Sequence, residues 1–242
     1  MRSRFEGTAV VPLRLQSELV LLCEGEADRQ FFRKFLEKRP TLPKFDIPFP
    51  TDKLHGNGAF SGMLQAIRGD RLGFARVIGV LIVADSTDKP GTLFKLVRDQ
   101  IRATGGYGVP SKPLEVAMAA NHPGIGIMLL PGGRTPGALE TLLVREITDK
   151  APWVTACVEQ FLRCDKIEAH AWPAEKRDKA RFHSLVAVLY RDDPSRAASQ
   201  AFRDPAPLIN VEARCFDDVE RKVIAFCQAV TTGKSPAAPL PG

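Results

Sequence analysis

The sequence lacks the features of a membrane protein or of a small secreted protein held together by disulfides. Its longest apolar run, residues 77–84, is far shorter than the ~20 residues that a transmembrane helix needs. The first seven residues include two arginines but are not followed by the apolar segment of a secretory signal. The five cysteines show no CxxC or Cys/His ligand spacing. We therefore expect a cytoplasmic protein with reduced thiols and no membrane partner.

Nucleotide-binding fingerprints are also missing. No Gly-x-x-x-x-Gly-Lys-Ser/Thr segment occurs, and the glycines at Gly56 and Gly58 do not belong to a Gly-x-Gly-x-x-Gly pattern. Both absences disfavour P-loop hydrolysis and dinucleotide binding. No cysteine lies at a recognisable nucleophile elbow, which disfavours a cysteine hydrolase. Any ATPase activity is expected to reside in a separate chain.

The composition is that of a globular protein with a net positive charge. Of the 242 residues, 44% are hydrophobic and 26% are charged, which is enough apolar material for one sizeable core with an appendage. The formal net charge of +6 favours contact with a polyanion. Nucleic acid, DNA or RNA, is therefore an expected partner.

The order of apolar patterns predicts an α/β fold. Apolar runs typical of buried strands end in turns and are followed by amphipathic segments typical of helices. The predicted strands cover residues 17–22, 76–84 and 124–130, and the helices cover 26–38, 60–69, 90–104 and a segment around 139–143. This alternation favours a mainly parallel, Rossmann-like sheet with helices on both faces.

The second part of the chain has a helical pattern. Helices are predicted at residues 153–164, 174–190 and 216–229, while residues 42–62 are expected to be mostly loop with one short strand near 45–49. We therefore expect an α/β core over residues 1–148, a helical extension over 149–230 and a flexible tail over 231–242.

Acidic residues follow the predicted strands. Glu24, Asp85 and Asp88 come directly after two apolar runs. Any one of them alone is usually a solvated side chain. Because the carboxyl ends of parallel strands meet at one edge of the sheet, we expect these side chains to approach one another and to need a cation. Oxygen ligands of this kind suit Mg²⁺ or Mn²⁺.

Four short segments carry a family resemblance. The segments are Leu-Leu-Cys-Glu-Gly-Glu-Ala-Asp at residues 21–28, Val-Ala-Asp-Ser-Thr-Asp at 83–88, Gly-Ala-Leu-Glu at 137–140 and a lysine-bearing helix around Lys179. Together they resemble the Toprim family, and within it the OLD-family nucleases and small stand-alone Toprim-like proteins of unknown function. The resemblance implies the metal ligands Glu24, Asp85, Asp88 and Glu140, with Glu24 also a candidate general acid or base. It further implies that Lys179, or Lys176 in its place, stabilises the transition state. Glu26 and Asp28 lie close enough to Glu24 in the sequence to contribute a ligand to a second metal ion.

The sequence departs from that family at the second acidic segment. The family pattern has aspartates two residues apart, whereas here Thr87 takes that position and Asp88 comes three residues after Asp85. Either Asp88 substitutes through a shifted loop, or one metal site is weakened. Cys23 is also unusual beside Glu24, and we expect it to pack as a small hydrophobe.

Several basic side chains have two open interpretations. Arg134 follows Gly132 and Gly133, which predicts either a phosphate-binding nest or a plain turn. Lys176 and Arg181 lie on a basic helix face that either contacts a nucleic-acid backbone or faces water.

The histidines are weaker candidates. His183 lies on the same predicted helical face as Lys179, and a semi-buried histidine is expected there. His55 and His122 are expected in loops near the acidic edge, as surface side chains in preference to proton-transfer groups.

These observations predict a metal-dependent nuclease that hydrolyses DNA or RNA phosphodiesters. The resemblance to OLD-family systems implies defence against foreign nucleic acid and a separate ATPase subunit, and it is compatible with a homo-oligomer. The alternative is a catalytically inactive Toprim-fold module that binds nucleic acid or regulates another protein. A nucleotidyl transferase related to primases or topoisomerases is disfavoured, since only two tyrosines, Tyr107 and Tyr190, are present.

Overall fold

A computed structural model describes residues 14–48, 59–133, 135–168, 170–202 and 207–233. Within these ranges the chain forms a mainly parallel sheet with helices on both faces, which confirms the predicted α/β class. The strands are β1 (Leu19–Cys23), β2 (Phe45–Asp46), β3 (Gly79–Asp85), β4 (Ala117–Ala119) and β5 (His122–Leu130). The helices are α1 (Glu26–Lys38), α2 (Phe60–Gly69), α3 (Arg71–Phe74), α4 (Pro90–Thr104), α5 (Leu139–Lys150), α6 (Pro152–Leu162), α7 (Asp165–Glu168), α8 (Ala174–Leu189) and α9 (Asp217–Thr232).

The strand order explains where the acidic residues meet. The sheet runs β2-β1-β3-β5-β4, with parallel pairing from β2 to β5 and antiparallel pairing of β4 with β5. Cys23 lies opposite Val83, and Asp85 lies opposite Leu130. The carboxyl ends of β1, β3 and β5 therefore share one edge, as expected for a parallel sheet.

Strand β3 is apolar along its whole length because both of its faces are covered. Leu81 and Val83 pack into a layer that contains residues of α1, α5, α8 and α9. Val80 and Ile82 face the opposite way and pack with α2 and α4. A strand buried on both sides loses the polar and apolar alternation of a half-exposed strand, which accounts for the unbroken apolar run in the sequence.

The C-terminal helices share the hydrophobic layer of the sheet. Helix α9 approaches so closely that a Cβ atom added to Gly126 would lie 2.9 Å from the Phe226 ring. Arg39 at the end of α1 is 7% exposed and anchors the segment before α9, since its guanidinium donates to the carbonyl oxygens of Val211 (3.2 Å) and Ala213 (3.1 Å). The α/β core and the helical extension are thus joined by continuous apolar and polar contacts.

Some expectations from the sequence are confirmed and others are wrong. Cys23 is buried among apolar side chains, as predicted. His122 was expected near the acidic edge, but it lies at the amino end of β5, the far end of that strand, where its ring contacts Tyr107. The first residues of the expected tail belong to α9, which ends at Thr232. His55 and the Gly56–Gly58 segment lie outside the described residues.

The sequence pattern also missed the edge strand β4 and the short helices α3 and α7. Strand β4 is Ala-Met-Ala and lacks β-branched residues, so local propensity gives little signal for it. The structure also bears on the membrane question: across the described ranges, no helix has the length and apolar character that crossing a membrane requires.

Candidate active site

Two carboxylates meet where β1 and β3 end. Asp85 is the last residue of β3 and is buried, with 7% of its surface exposed. Glu24 follows β1 directly, and its Oε1 accepts a hydrogen bond from the backbone N–H of Asp85 at 3.0 Å. Asp28 and Glu140 come from the first turns of α1 and α5. The fold therefore brings together four of the five carboxylates proposed from the sequence as metal ligands.

The cluster disfavours ionised carboxylates. Burial and the neighbouring charges of Asp85 and Asp28 raise the pKa of Glu24 to about 9. Burial, Asp85 and Glu140 likewise raise the pKa of Asp28 to about 8. Burial and Asp85 raise the pKa of Glu140 to about 7. A group of carboxylates that repel one another in a poorly hydrated place is stabilised by protons or by a cation.

Lys179 supplies a cation to this cluster. Its Nζ lies 3.3 Å from Oδ2 of Asp85 and 2.8 Å from Oε1 of Glu175, one helical turn earlier on α8. Partial burial lowers the pKa of Lys179, but the charge of Asp85 and the hydrogen bond to Glu175 outweigh that effect and raise it. The ammonium group therefore stays charged at neutral pH. Glu175 was not identified from the sequence, although its i,i+4 spacing to Lys179 is a recognisable signal.

The second oxygen of Asp85 binds the start of α5. The backbone N–H of Leu139 donates to Oδ1 of Asp85 at 2.9 Å. An N–H group in the first turn of a helix has no partner within that helix, and the helix dipole favours a negative charge there. Burial raises the pKa of Asp85, whereas Lys179 and the Leu139 N–H act against that rise. Asp85 is thus the point at which β3, α5 and α8 meet.

A separate polar network holds α8 against α5. The Thr141 hydroxyl accepts from the backbone N–H of Ala138 at 3.1 Å and donates to Oδ2 of Asp178 at 2.6 Å. Asp178 is buried and also accepts from Arg181 at 2.6 Å. Arg181 forms a further ion pair with Glu159 of α6. These contacts fix the helix that carries Lys179, and they were not foreseen from the sequence.

The network changes the interpretation of the basic helix face. Arg181, proposed from the sequence as a nucleic-acid contact, uses its guanidinium group on Asp178 and Glu159 within the protein. Lys176 is exposed and so remains accessible to a polyanion, and His183 is exposed rather than semi-buried as expected. Arg134 lies outside the described residues.

Asp88 differs from Asp85 in its exposure to solvent. It is exposed, whereas Asp85 is buried. Between them, Thr87 has a φ of +53° and pairs with Gly137 through two backbone hydrogen bonds of 2.8 and 3.0 Å. A positive φ is unfavourable for a β-branched residue, so this pairing is what holds the turn in place. The turn ties the loop after β3 to the loop before α5.

The oxygen atoms of this cluster are suitable ligands for a metal ion, but their arrangement does not form a metal site. Oxygen ligands in a buried, mutually repelling group are chemically suited to a hard divalent cation. In the described part of the chain, however, no group of three or more His, Cys, Asp or Glu side chains is arranged to hold one. A metal ion would need the ligands to move closer together and Asp85 to exchange its contact with Lys179.

Comparisons with known proteins identify the family. No curated protein and no solved structure matches the chain. A family model described as a protein of unknown function, DUF3226, matches residues 18–221. The matched range contains every residue of the acidic cluster together with Lys179 and Glu175. Since this range covers most of the 242 residues, the chain belongs to the DUF3226 family of proteins of unknown function.

Proposed function

We propose that the protein is a nuclease that hydrolyses DNA or RNA phosphodiester bonds with the help of Mg²⁺ or Mn²⁺. The residues that would hold the metal are Glu24, Asp28, Asp85 and Glu140. Lys179 would stabilise the charge of the transition state, and Glu24 would alternatively serve as the general acid or base. The resemblance of the four sequence segments to the Toprim family and its OLD-type nucleases belongs to the same proposal.

A single observation carries the proposal. Four carboxyl groups from β1, α1, β3 and α5 gather at the carboxyl edge of the sheet, and three have pKa values raised to between about 7 and about 9. Such an arrangement costs folding free energy, because each ionised carboxylate loses hydration and faces other negative charges. Clusters of titratable groups with strongly shifted pKa values occur at functional sites more often than elsewhere.

The proposed roles of the carboxylates and of Lys179 are chemically complementary. A bound divalent cation supplies Lewis-acid polarisation of a phosphoryl oxygen and an attacking water of lowered pKa. Lys179 provides a positive charge that is already at the site, and Glu175 keeps a contact of 2.8 Å to that charge. When Asp85 engages a metal ion, Lys179 would remain tethered by Glu175 and become available to a phosphate oxygen.

A cleavage assay tests the proposal. The purified chain would be incubated with supercoiled plasmid, single-stranded DNA and RNA in Mg²⁺, Mn²⁺ or EDTA. Cleavage with either metal and none in EDTA is expected, with a loss of at least ~100-fold in Asp85→Asn and Glu24→Gln. Glu18→Gln, at an exposed carboxylate outside the cluster, is the matched control. Failure to cleave any of the three substrates with either metal would end the nuclease proposal.

A second candidate function is a non-catalytic module that binds nucleic acid or regulates a partner protein. The observation that favours it is that both carboxylate oxygens of Asp85 already have partners. Oδ2 pairs with Lys179, and Oδ1 accepts a hydrogen bond from the Leu139 N–H. The exposed position of Asp88 points the same way. In that case Lys179 would be a permanent structural counter-ion, and nucleic acid would bind equally well with and without metal.

The biological setting follows from the resemblance alone. OLD-type systems imply defence against foreign nucleic acid, and a separate ATPase subunit would supply the energy-dependent step. The net charge of +6 supports a nucleic-acid partner for either candidate function.

A further inference from the structure

Two aromatic rings are stacked at the protein surface just before α8. The rings of His170 and Trp172 lie 5.3 Å apart between centroids with an angle of 10° between their planes. His170 is exposed, and Trp172 keeps 41% of its surface accessible. Trp172 is one of only two tryptophans in the chain. The exposed indole leaves a large aromatic surface available for a ligand to cover.

The backbone between the two rings is held in an unfavourable conformation. Ala171 has a φ of +46°, a left-handed conformation that is unfavourable for a residue with a Cβ atom. The turn is stabilised by hydrogen bonds from the N–H groups of His170 to Ile167 and of Ala171 to Glu168, both 3.0 Å long. This backbone conformation brings the rings of His170 and Trp172, the residues before and after Ala171, into parallel contact. The aromatic surface is therefore part of the turn between α7 and α8.

The aromatic pair immediately precedes the helix whose lysine reaches the acidic cluster. Trp172 precedes Glu175 by three residues, so their Cα atoms are at most about 11 Å apart. Glu175 in turn contacts Lys179, whose Nζ is 3.3 Å from Asp85. The exposed Lys176 lies one residue after Glu175. An aromatic surface, an exposed cation and the lysine that contacts the acidic cluster therefore follow one another along a single short stretch of chain.

We infer that Trp172, backed by His170, is a stacking surface for an unpaired nucleobase, so that the site takes single-stranded nucleic acid. Every base has a π face, and stacking on an aromatic side chain beside basic residues is the common way to bind single strands without sequence preference. Bases of a duplex are already stacked on one another and cannot cover the indole. This inference rests on the proposed function, because it assumes that nucleic acid is the substrate.

The test measures binding with catalysis switched off. The Kd of the full chain for fluorescently labelled single-stranded DNA and RNA dodecamers, and for the matching blunt duplexes, is measured by anisotropy in EDTA. We expect single strands to bind more tightly than duplexes and Trp172→Ala to weaken single-strand binding by about 5- to 100-fold, the range that stacking of one base contributes. Trp172→Phe, which retains an aromatic face, should recover most of the binding.

The other tryptophan provides the matched control. Trp153 of α6 is 65% exposed and lines an apolar groove with Val158 and Val188, in a different part of the chain. Trp153→Ala should leave the Kd unchanged, and in a Trp153→Phe background the fluorescence of Trp172 should be quenched by the single strand. Equal losses in both alanine variants, a preference for duplex, or no binding at all would overturn the inference. Single-strand binding through Trp172 without metal-dependent cleavage would support it while removing the nuclease proposal.

Discussion

The ammonium group of Lys179 lies 3.3 Å from Oδ2 of Asp85, which makes a lysine of α8 the counter-ion of the carboxylate that ends the central strand. A lysine in this position has two consequences. It reduces the repulsion among the buried carboxylates, and it occupies an oxygen that a metal ion would need. A metal ion bound at Asp85 would therefore compete with Lys179.

Replacing Lys179 should separate these two effects. In Lys179→Met we expect Mn²⁺ to bind about 3- to 10-fold more tightly, since the ion pair between the partly exposed Lys179 and Asp85, about 1 kcal/mol, no longer competes with the metal. Cleavage should nevertheless fall by ~100-fold or more, because the transition state loses its positive charge. Isothermal titration calorimetry and the cleavage assay measure the two quantities. Lys95→Met, at an exposed lysine of α4, is the control, and weaker metal binding in Lys179→Met would contradict competition.

Stability should fall with rising pH in the absence of metal. The folded-state pKa values of Glu24, Asp28 and Glu140, about 9, 8 and 7, lie above the ordinary values of 4.5, 3.8 and 4.5. Between the ordinary pKa values and these raised values, the folded chain therefore binds more protons than the unfolded chain. The stabilisation is complete below about pH 4 and is lost as pH rises through the folded pKa values of about 7 to 9.

The glutamine variant of Glu24 should reduce this pH dependence. Glu24→Gln keeps the oxygen that accepts from the Asp85 N–H but carries no charge. We expect it to raise Tm in EDTA at pH 9 by about 2–4 °C, the shift that about 1 kcal/mol produces in a chain of this size. Thermal denaturation between pH 5 and 9 measures the effect. Equal slopes for wild type and variant would show that Glu24 does not titrate in this interval.

Added metal should reverse the loss of stability, and more strongly at high pH. Carboxylates bind a cation only after releasing their protons, so the rise in Tm caused by Mn²⁺ should be larger at pH 8.5 than at pH 6. Asp85→Asn should abolish the rise. A Tm shift that is independent of pH, or that persists in Asp85→Asn, would place the metal elsewhere.

Thr141 should matter for both stability and activity. Thr141→Val removes the hydroxyl that links Ala138 to the buried Asp178, leaving the carboxylate with one partner fewer. We expect the free energy of unfolding to fall by about 1–3 kcal/mol and cleavage to fall further, as α8 shifts Lys179 relative to Asp85. Chemical denaturation and cleavage under conditions of full folding measure the two losses. Thr104→Val, whose hydroxyl bonds only within its own helix, should change neither by much.

Gly126 should tolerate no side chain. A Cβ atom there would lie 2.9 Å from Phe226, which is buried between α9 and the sheet. Gly126→Ala should therefore destabilise the protein by about 1–3 kcal/mol through overpacking. Gly91 in α4 has no neighbouring atom within 4 Å of the added carbon, so Gly91→Ala should be neutral or slightly stabilising. Similar free energies of unfolding for the two variants would show that α9 adjusts its position.

The strand and helix pattern was predictable because it is a local property. The apolar runs that became β1, β3 and β5 were read from the sequence, and each ended within about two residues of its predicted position. The short edge strand β4 was not, since a three-residue strand depends on its pairing with β5 rather than on its own side chains.

The site was predictable only in part. Glu24 and Asp85 follow from the rule that parallel strands end at one edge, and Asp28 from its closeness to Glu24 in the sequence. Glu140 and Lys179 depended on the resemblance. Arg181 resembled a nucleic-acid contact in sequence, but Glu159 from another helix engages it. Partners that are distant along the chain leave no periodic signal, so sequence reasoning could not have identified that ion pair.

The sequence by itself determined the α/β class and the positions of acidic residues at the ends of two strands, since alternation and helical periodicity depend on neighbouring residues. Only the tertiary structure decided that Lys179 pairs with Asp85 and that Asp88 is exposed whereas Asp85 is buried. The first depends on the packing of α8 against α5 through Thr141 and Asp178. The exposure of Asp88 results from the turn at Thr87, which is held by backbone hydrogen bonds to Gly137. Both are set by contacts between segments far apart in the chain, which no local pattern encodes.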